Sequence, residues 1–222
     1  MMRWSTSIFL LFFLLSFTKD STTPYGTAKL SEMNIVYEHI DNPIEFATPG
    51  YSNDEITINI EGGSLTSTSS RTYLLRTKQG YQKCTIKIYV TYNDVKRLIG
   101  AETFRIRQLP TPIPQLGGIP NNGLPQSKAA VVAQTTLIST YGPGFAYNLQ
   151  NRVTAYKAKV ITVDSVYTFE NEAAVLKSDM REVIKETQPG DVILIYEIQS
   201  ETYLTKDTLK IKCPSIVIPI SE

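Results

Sequence analysis

Side chains suited to acid–base or metal chemistry are scarce in this sequence. There is one histidine, His39, and there are two cysteines, Cys84 and Cys213, in 222 residues. With a single histidine no histidine pair can build a zinc site, and no Cys-Cys-His cluster has ligand spacing. A serine–histidine–aspartate triad would rest on His39, which lies in NIVYEHI (Asn34 to Ile40), a segment that reads as a strand. A histidine there reads as a solvated or packed strand residue. Gly62-Gly63 and Gly117-Gly118 lack the strand–glycine–helix context and the lysine of a phosphate loop, so they read as turns. Acidic residues are scattered singly, which leaves a calcium loop unsupported. Asp41 and Asn42 are explained by turn formation before Pro43. The expectation is no catalytic, cofactor-binding or metal-ligating residue, and no enzyme, because the acid–base constellation is missing.

The cysteines and the aromatics remain. Cys84 shares a strand face with Ile86, Ile88 and Val90, and Cys213 shares one with Leu209 and Ile211. Although an exported chain with two cysteines invites a disulfide, this alternation predicts two buried thiols. Tyr141, Phe145 and Tyr147 bracket a glycine–proline loop, YGPGFAY. Loop aromatics serve as anchors for a protein partner, or they fold back on their own core. These three are the candidate interaction residues.

The elements that would position them fall into two groups around a proline-rich stretch. Short alternating segments at 34–40, 44–47, 55–60, 72–76, 83–91 and 104–108 are separated by turn residues. They predict an antiparallel β-sandwich over 30–109, with no helical period in it. FRIRQLPTPIPQLGGIPNNGLP (Phe104 to Pro125) starts as a strand and then places prolines at 110, 112, 114, 120 and 125. Each removes a backbone donor, so residues 110–126 read as a stiff, extended joint through which no regular sheet or helix runs. Beyond it, 127–222 reads as a smaller α+β domain. Ser127 would cap a helix over 128–141, and a second helix is expected over 171–187. Strands are expected over 152–164, 192–198, 209–213 and 215–220. The fold class is mainly β.

Composition bounds the partners. Lys+Arg number 22 against 21 Asp+Glu, a net charge of +1, which offers no footprint for nucleic acid. Arg3 followed by the apolar run Ile8 to Phe17 has the form of a secretory signal peptide within residues 1–20. That run is shorter than the roughly 20 apolar residues a bilayer span needs. Ser16-Phe17-Thr18 is a poor cleavage motif, so an uncleaved anchor is the second reading; the absence of a following cysteine argues against an acyl-lipid anchor. Export is expected from this segment, with the cell surface or the medium as destinations beside the periplasm that a family resemblance implies.

Three separated motifs occur in the order found in a known family. MNIVYEHIDNPI (Met33 to Ile44), FRIRQLPTPIPQLGG (Phe104 to Gly118) and SKAAVVAQ (Ser127 to Gln134) resemble the C-terminal periplasmic domains of the GldM/PorM family of gliding-motility and type IX secretion proteins. The resemblance covers roughly residues 30–222. It implies an Ig-like sandwich followed by a small α+β domain, a non-enzymatic scaffold role, a homodimer, and the outer-membrane ring of type IX secretion as protein partner. The long helical domain and membrane span of the family are not found here, which argues against coupling to a membrane motor. The alternative is a secreted or surface β-sandwich that binds a ligand or mediates adhesion.

Overall fold

A computed structural model describes residues 34–48, 50–204 and 207–222. The signal-peptide reading lies outside the described residues. The chain is mainly β, with 54% strand and 9% helix. A β-sandwich is followed by a smaller α+β region.

The sandwich is built from β1 (Ile35–Tyr37), β2 (Asn42–Glu45), β3 (Ile56–Glu61), β4 (Gly63–Ser67), β5 (Thr72–Thr77), β6 (Lys83–Tyr92) and β7 (Val95–Arg107). One sheet has the order β1-β7-β6-β3 and the other β2-β5-β4. β1 runs parallel to β7 and the remaining pairs are antiparallel. The alternation explains the register: Ile56, Ile58 and Ile60 of β3 stand opposite Val90, Ile88 and Ile86 of β6. Such cross-strand apolar pairs stabilise a sheet by roughly 0.2–1 kcal/mol each. Leu75 from the other sheet closes over them, with Val36, Phe46, Cys84 and Ile106.

Several expectations need correction here. The first strand ends at Tyr37, and His39 sits in a turn with φ 66°, outside any strand. The second starts at Asn42 rather than Ile44, and polar β4 and the first half of β7 were not anticipated. The hairpin β6–β7 turns at Asn93-Asp94, both with positive φ (48° and 59°), as a two-residue loop requires.

The second half contains β8 (Ile113–Leu116), β9 (Gln126–Ser127), α1 (Lys128–Val132), β10 (Leu137–Thr140), β11 (Gln150–Ile161), β12 (Val166–Asn171), α2 (Ser178–Glu186), β13 (Val192–Tyr203), β14 (Thr208–Lys212) and β15 (Ile216–Ser221). The main sheet has the order β12-β11-β13-β15-β9, with β14 beside the far end of β13. α1 and α2 pack on one face of it through Val131, Met180 and Ile184. β13 keeps one face buried along its whole length only because it bulges at Glu197 (φ 50°): Ile193 and Ile195 precede the shift, and Ile198, Ser200 and Thr202 follow it.

The proline stretch is also corrected, since Ile113–Leu116 is a strand paired antiparallel with β10 and Pro114 stands opposite Ser139. Because β8 has a partner on one side only, the missing donor is tolerated there. Leu116 and Ile119 are buried in the second core. The expected helix 128–141 stops at Val132. Ser127 caps it as expected, its Oγ accepting from the Ala130 N–H at 3.3 Å. The β-branched Thr135 and Thr136 leave the helix. Leu176 N–H donates to Thr135 O and Leu137 N–H to Ala174 O, both at 2.8 Å. The expected helix 171–187 starts only at Ser178, because Asn171 ends β12 opposite Tyr156. Both cysteines are free and buried, as expected. Residues 34–222 form one compact unit with two apolar cores.

Candidate functional site

The three aromatics singled out in the sequence come together with a fourth, Tyr37 of β1, which comes from the sandwich. β1 lies beside the end of β7, with Tyr37 opposite Arg107, so its ring stands where the chain leaves the sandwich. The loop between β10 and β11 brings Phe145 to 5.4 Å and Tyr147 to 5.6 Å from the Tyr37 ring, both edge to face (67° and 88°). Phe145 in turn packs on Tyr141 at 4.4 Å and on Tyr147 at 5.5 Å. Each such pair contributes roughly 0.5–1.5 kcal/mol beyond its buried area.

Polar contacts fix both ends of this cluster. Asn42 is fully buried and saturates its amide. Its Oδ1 accepts from Tyr37 N–H (2.8 Å) and from the Tyr147 hydroxyl (2.9 Å). Its Nδ2 donates to the carbonyls of Tyr37, Ile40 and Leu75 at 2.9, 3.1 and 3.2 Å. Asn42 therefore closes the turn that carries His39, crosses to β5, and holds the loop of the second half. At the other end the Tyr141 hydroxyl bonds Thr202 Oγ1 (3.1 Å), and Thr202 donates to Asn151 Oδ1. Beside them the Ser139 and Ser200 hydroxyls meet at 2.7 Å.

The electrostatics are those of a packed joint. Burial raises the Tyr147 phenol, and the neighbouring Tyr37 adds to it. Burial also raises the Tyr141 phenol against the opposing hydrogen bond from Thr202. Both phenols stay protonated at neutral pH and act as hydrogen-bonding groups. Burial pushes the Cys84 thiol up to about 11 and raises Cys213 despite its bond to Ser200, so neither is a thiolate at neutral pH. His39 is exposed, 4.0 Å from Glu38. Asp41 binds Arg76 Nε at 2.8 Å. Among the described residues, no group of three or more His, Cys, Asp or Glu side chains is placed to hold a metal, and no helix is long and apolar enough to cross a membrane.

The structure thus gathers Tyr141, Phe145 and Tyr147 and leaves each half-buried against the sandwich. Asn42 and Tyr37 were missed in the sequence. Asn42 precedes a proline and reads as a turn residue, while Tyr37 is one tyrosine among 13. No local signal marks either as a long-range partner.

The family model of the GldM third domain matches residues 28–107. The match ends on Arg107, the last residue of β7, so its boundary is that of the sandwich. It relates the chain to gliding motility and type IX secretion. No curated protein matches the chain. Tyr37 and Asn42 lie within the matched residues, and Tyr141, Phe145 and Tyr147 lie outside them, so the cluster fastens the sandwich to the α+β region after it.

Proposed function

We propose that this chain is an exported, non-enzymatic interaction or scaffold protein that works beside gliding motility and type IX secretion from the periplasm. In this reading residues 127–222 stand in for the domain that follows the third domain in GldM, and the partner is a protein of the outer-membrane ring. The observation that carries the reading is the match of residues 28–107, whose boundary coincides with the end of the sandwich. The aromatic joint supports a structural role, because a cluster held by buried hydroxyls and an asparagine transmits force between its two sides better than a free linker would.

Fractionation and cross-linking in native envelopes test this. Recovery from the periplasm with outer-membrane ring proteins is the expected result. Recovery from the medium, with glycan binding and no envelope partner, would sink it.

A further inference from the structure

The end of the β11–β12 hairpin exposes apolar side chains that the fold does not use. Val163 is 93% exposed, Val166 59% and Tyr167 43%. The turn that presents them is tied: Thr162 N–H donates to Ser165 O at 2.9 Å, and Thr162 Oγ1 accepts from Ser165 N–H at 3.1 Å. Val163 is therefore held out into solvent by a fixed turn. A single exposed valine needs no explanation, but three large apolar side chains within five residues do.

This hairpin end forms one wall of a cleft of about 540 Å³, and the last turns of α2 form the other. Val163, Tyr167 and Val183 give the cleft apolar walls, and Asp164, Glu182, Glu186 and Asp191 also line it. Asp191 is buried and bonded to Gln188 N–H, and Glu182 is paired with Lys185, so the outward charge comes chiefly from Asp164 and Glu186. Lys185 binds Glu182 at 2.7 Å but itself lines the opposite flank of α2 with Arg181, next to α1. Arg181 and Lys185 thus lie on the α1 side of α2, Lys185 reaching across to Glu182, while Glu186 faces the hairpin.

That placement works against the helix. Glu182 and Glu186 are like charges at i, i+4, which destabilises a helix by a few tenths of a kcal/mol. They also stand near its C-terminus, where the dipole disfavours anions. The carboxylates are not grouped to hold one metal ion. Their charge is spread along an apolar-walled cleft, in a chain whose net charge is only +1. Such a cleft focuses a negative potential for a ligand carrying several cations and apolar side chains together.

We propose that this cleft and the hairpin end beside it are a docking surface for an extended segment of a partner protein in which lysine or arginine alternates with apolar residues. The proposal is independent of the secretion reading, since it rests on a different surface from the aromatic joint.

The test uses the full chain and a labelled ten-residue peptide of alternating lysine and leucine, followed by fluorescence anisotropy. Glutamate–leucine and lysine–serine peptides serve as controls. The lysine–leucine peptide should bind best, and its affinity should fall ~10-fold as salt rises from about 50 to about 300 mM. Glu186→Gln should weaken binding ~3-fold while leaving thermal stability unchanged or slightly raised, because the i, i+4 repulsion with Glu182 is relieved and the Glu182–Lys185 pair is kept. Val163→Ser, at a solvent-held position, should weaken binding ~3-fold without changing stability. The proposal is overturned if the lysine–leucine peptide does not bind, if the glutamate–leucine peptide binds as well, or if the Glu and Val variants bind the peptide unchanged.

Discussion

The two cores of this protein are closed to different degrees. In the α+β region the sheet is covered by α1 and α2, and eighteen described apolar residues are buried there, against eight in the sandwich. In the sandwich, Ile56, Ile58, Ile60, Leu65 and Tyr73 are only half-buried, and a cavity of about 310 Å³ opens between β3 and β4. The difference is one of coverage. Two small sheets meet face to face and leave part of their inner faces open, whereas helices laid across a long sheet seal it. Stability should therefore be concentrated in the second half, with the aromatic joint passing part of it to the first.

The largest test of this contrast is a pair of truncations. Met180→Ala, at a fully buried position under α2, should cost about 4 kcal/mol in urea unfolding, whereas Ile58→Ala, at the open edge, should cost about 1.5. Equal losses would mean the sandwich core is as tightly sealed as the other.

Next comes Asn42→Ala, which strips partners from the Tyr37 N–H, the Tyr147 hydroxyl and three carbonyls. A loss of about 3 kcal/mol is expected. It should fall on the sandwich first, seen as an earlier loss of amide protection in β1 and β2 than in β13. Uniform loss across both halves would break the idea that Asn42 is a local hub.

A third effect is set by pH. The Cys84 thiol is raised from 9.0 to about 11 by burial in the sandwich. A raised folded value stabilises the folded state below pH 9, and that contribution disappears as pH climbs from about 9 to 11. On the order of 2 kcal/mol is at stake. Unfolding midpoints should fall more steeply over this window in the wild type than in Cys84→Val, where other groups titrate alone. Parallel curves would refute the assignment.

The smallest effect is Tyr147→Phe, which keeps the ring contacts and removes only the 2.9 Å bond to Asn42. About 1 kcal/mol should be lost, with slightly less cooperative unfolding of the two halves. Tyr37→Ala, which removes two ring contacts, should split the transition further; a single sharp transition in both variants would show that the cluster does not couple them.

Much of the sandwich was legible because its strands alternate cleanly. Glu55 to Ile60 and Lys83 to Thr91 match β3 and β6 nearly residue for residue, and the buried free cysteines follow from the same alternation. The errors fall where a neighbour distant in sequence decides the conformation. GSLTS has no apolar pattern, yet it becomes β4 because β5 offers a full ladder. Gly117 (φ 55°) belongs to a turn whose Cβ-less backbone admits the Gln134 side chain, and Gln134 Oε1 accepts from Gly118 N–H at 3.0 Å; that contact ties the proline stretch to the end of α1.

By itself, then, the sequence determined the strand faces, the helix cap at Ser127, and the burial of Cys84 and Cys213, because each depends on local periodicity or on one residue's own stereochemistry. Only the tertiary structure decided that Pro114 lies in a strand, that both helices are cut short, and that Tyr141, Phe145 and Tyr147 close on Tyr37 and Asn42. Those outcomes depend on ladders and ring contacts between residues up to 105 positions apart. Pairing energy at such separations overrides the local preferences from which a sequence is read.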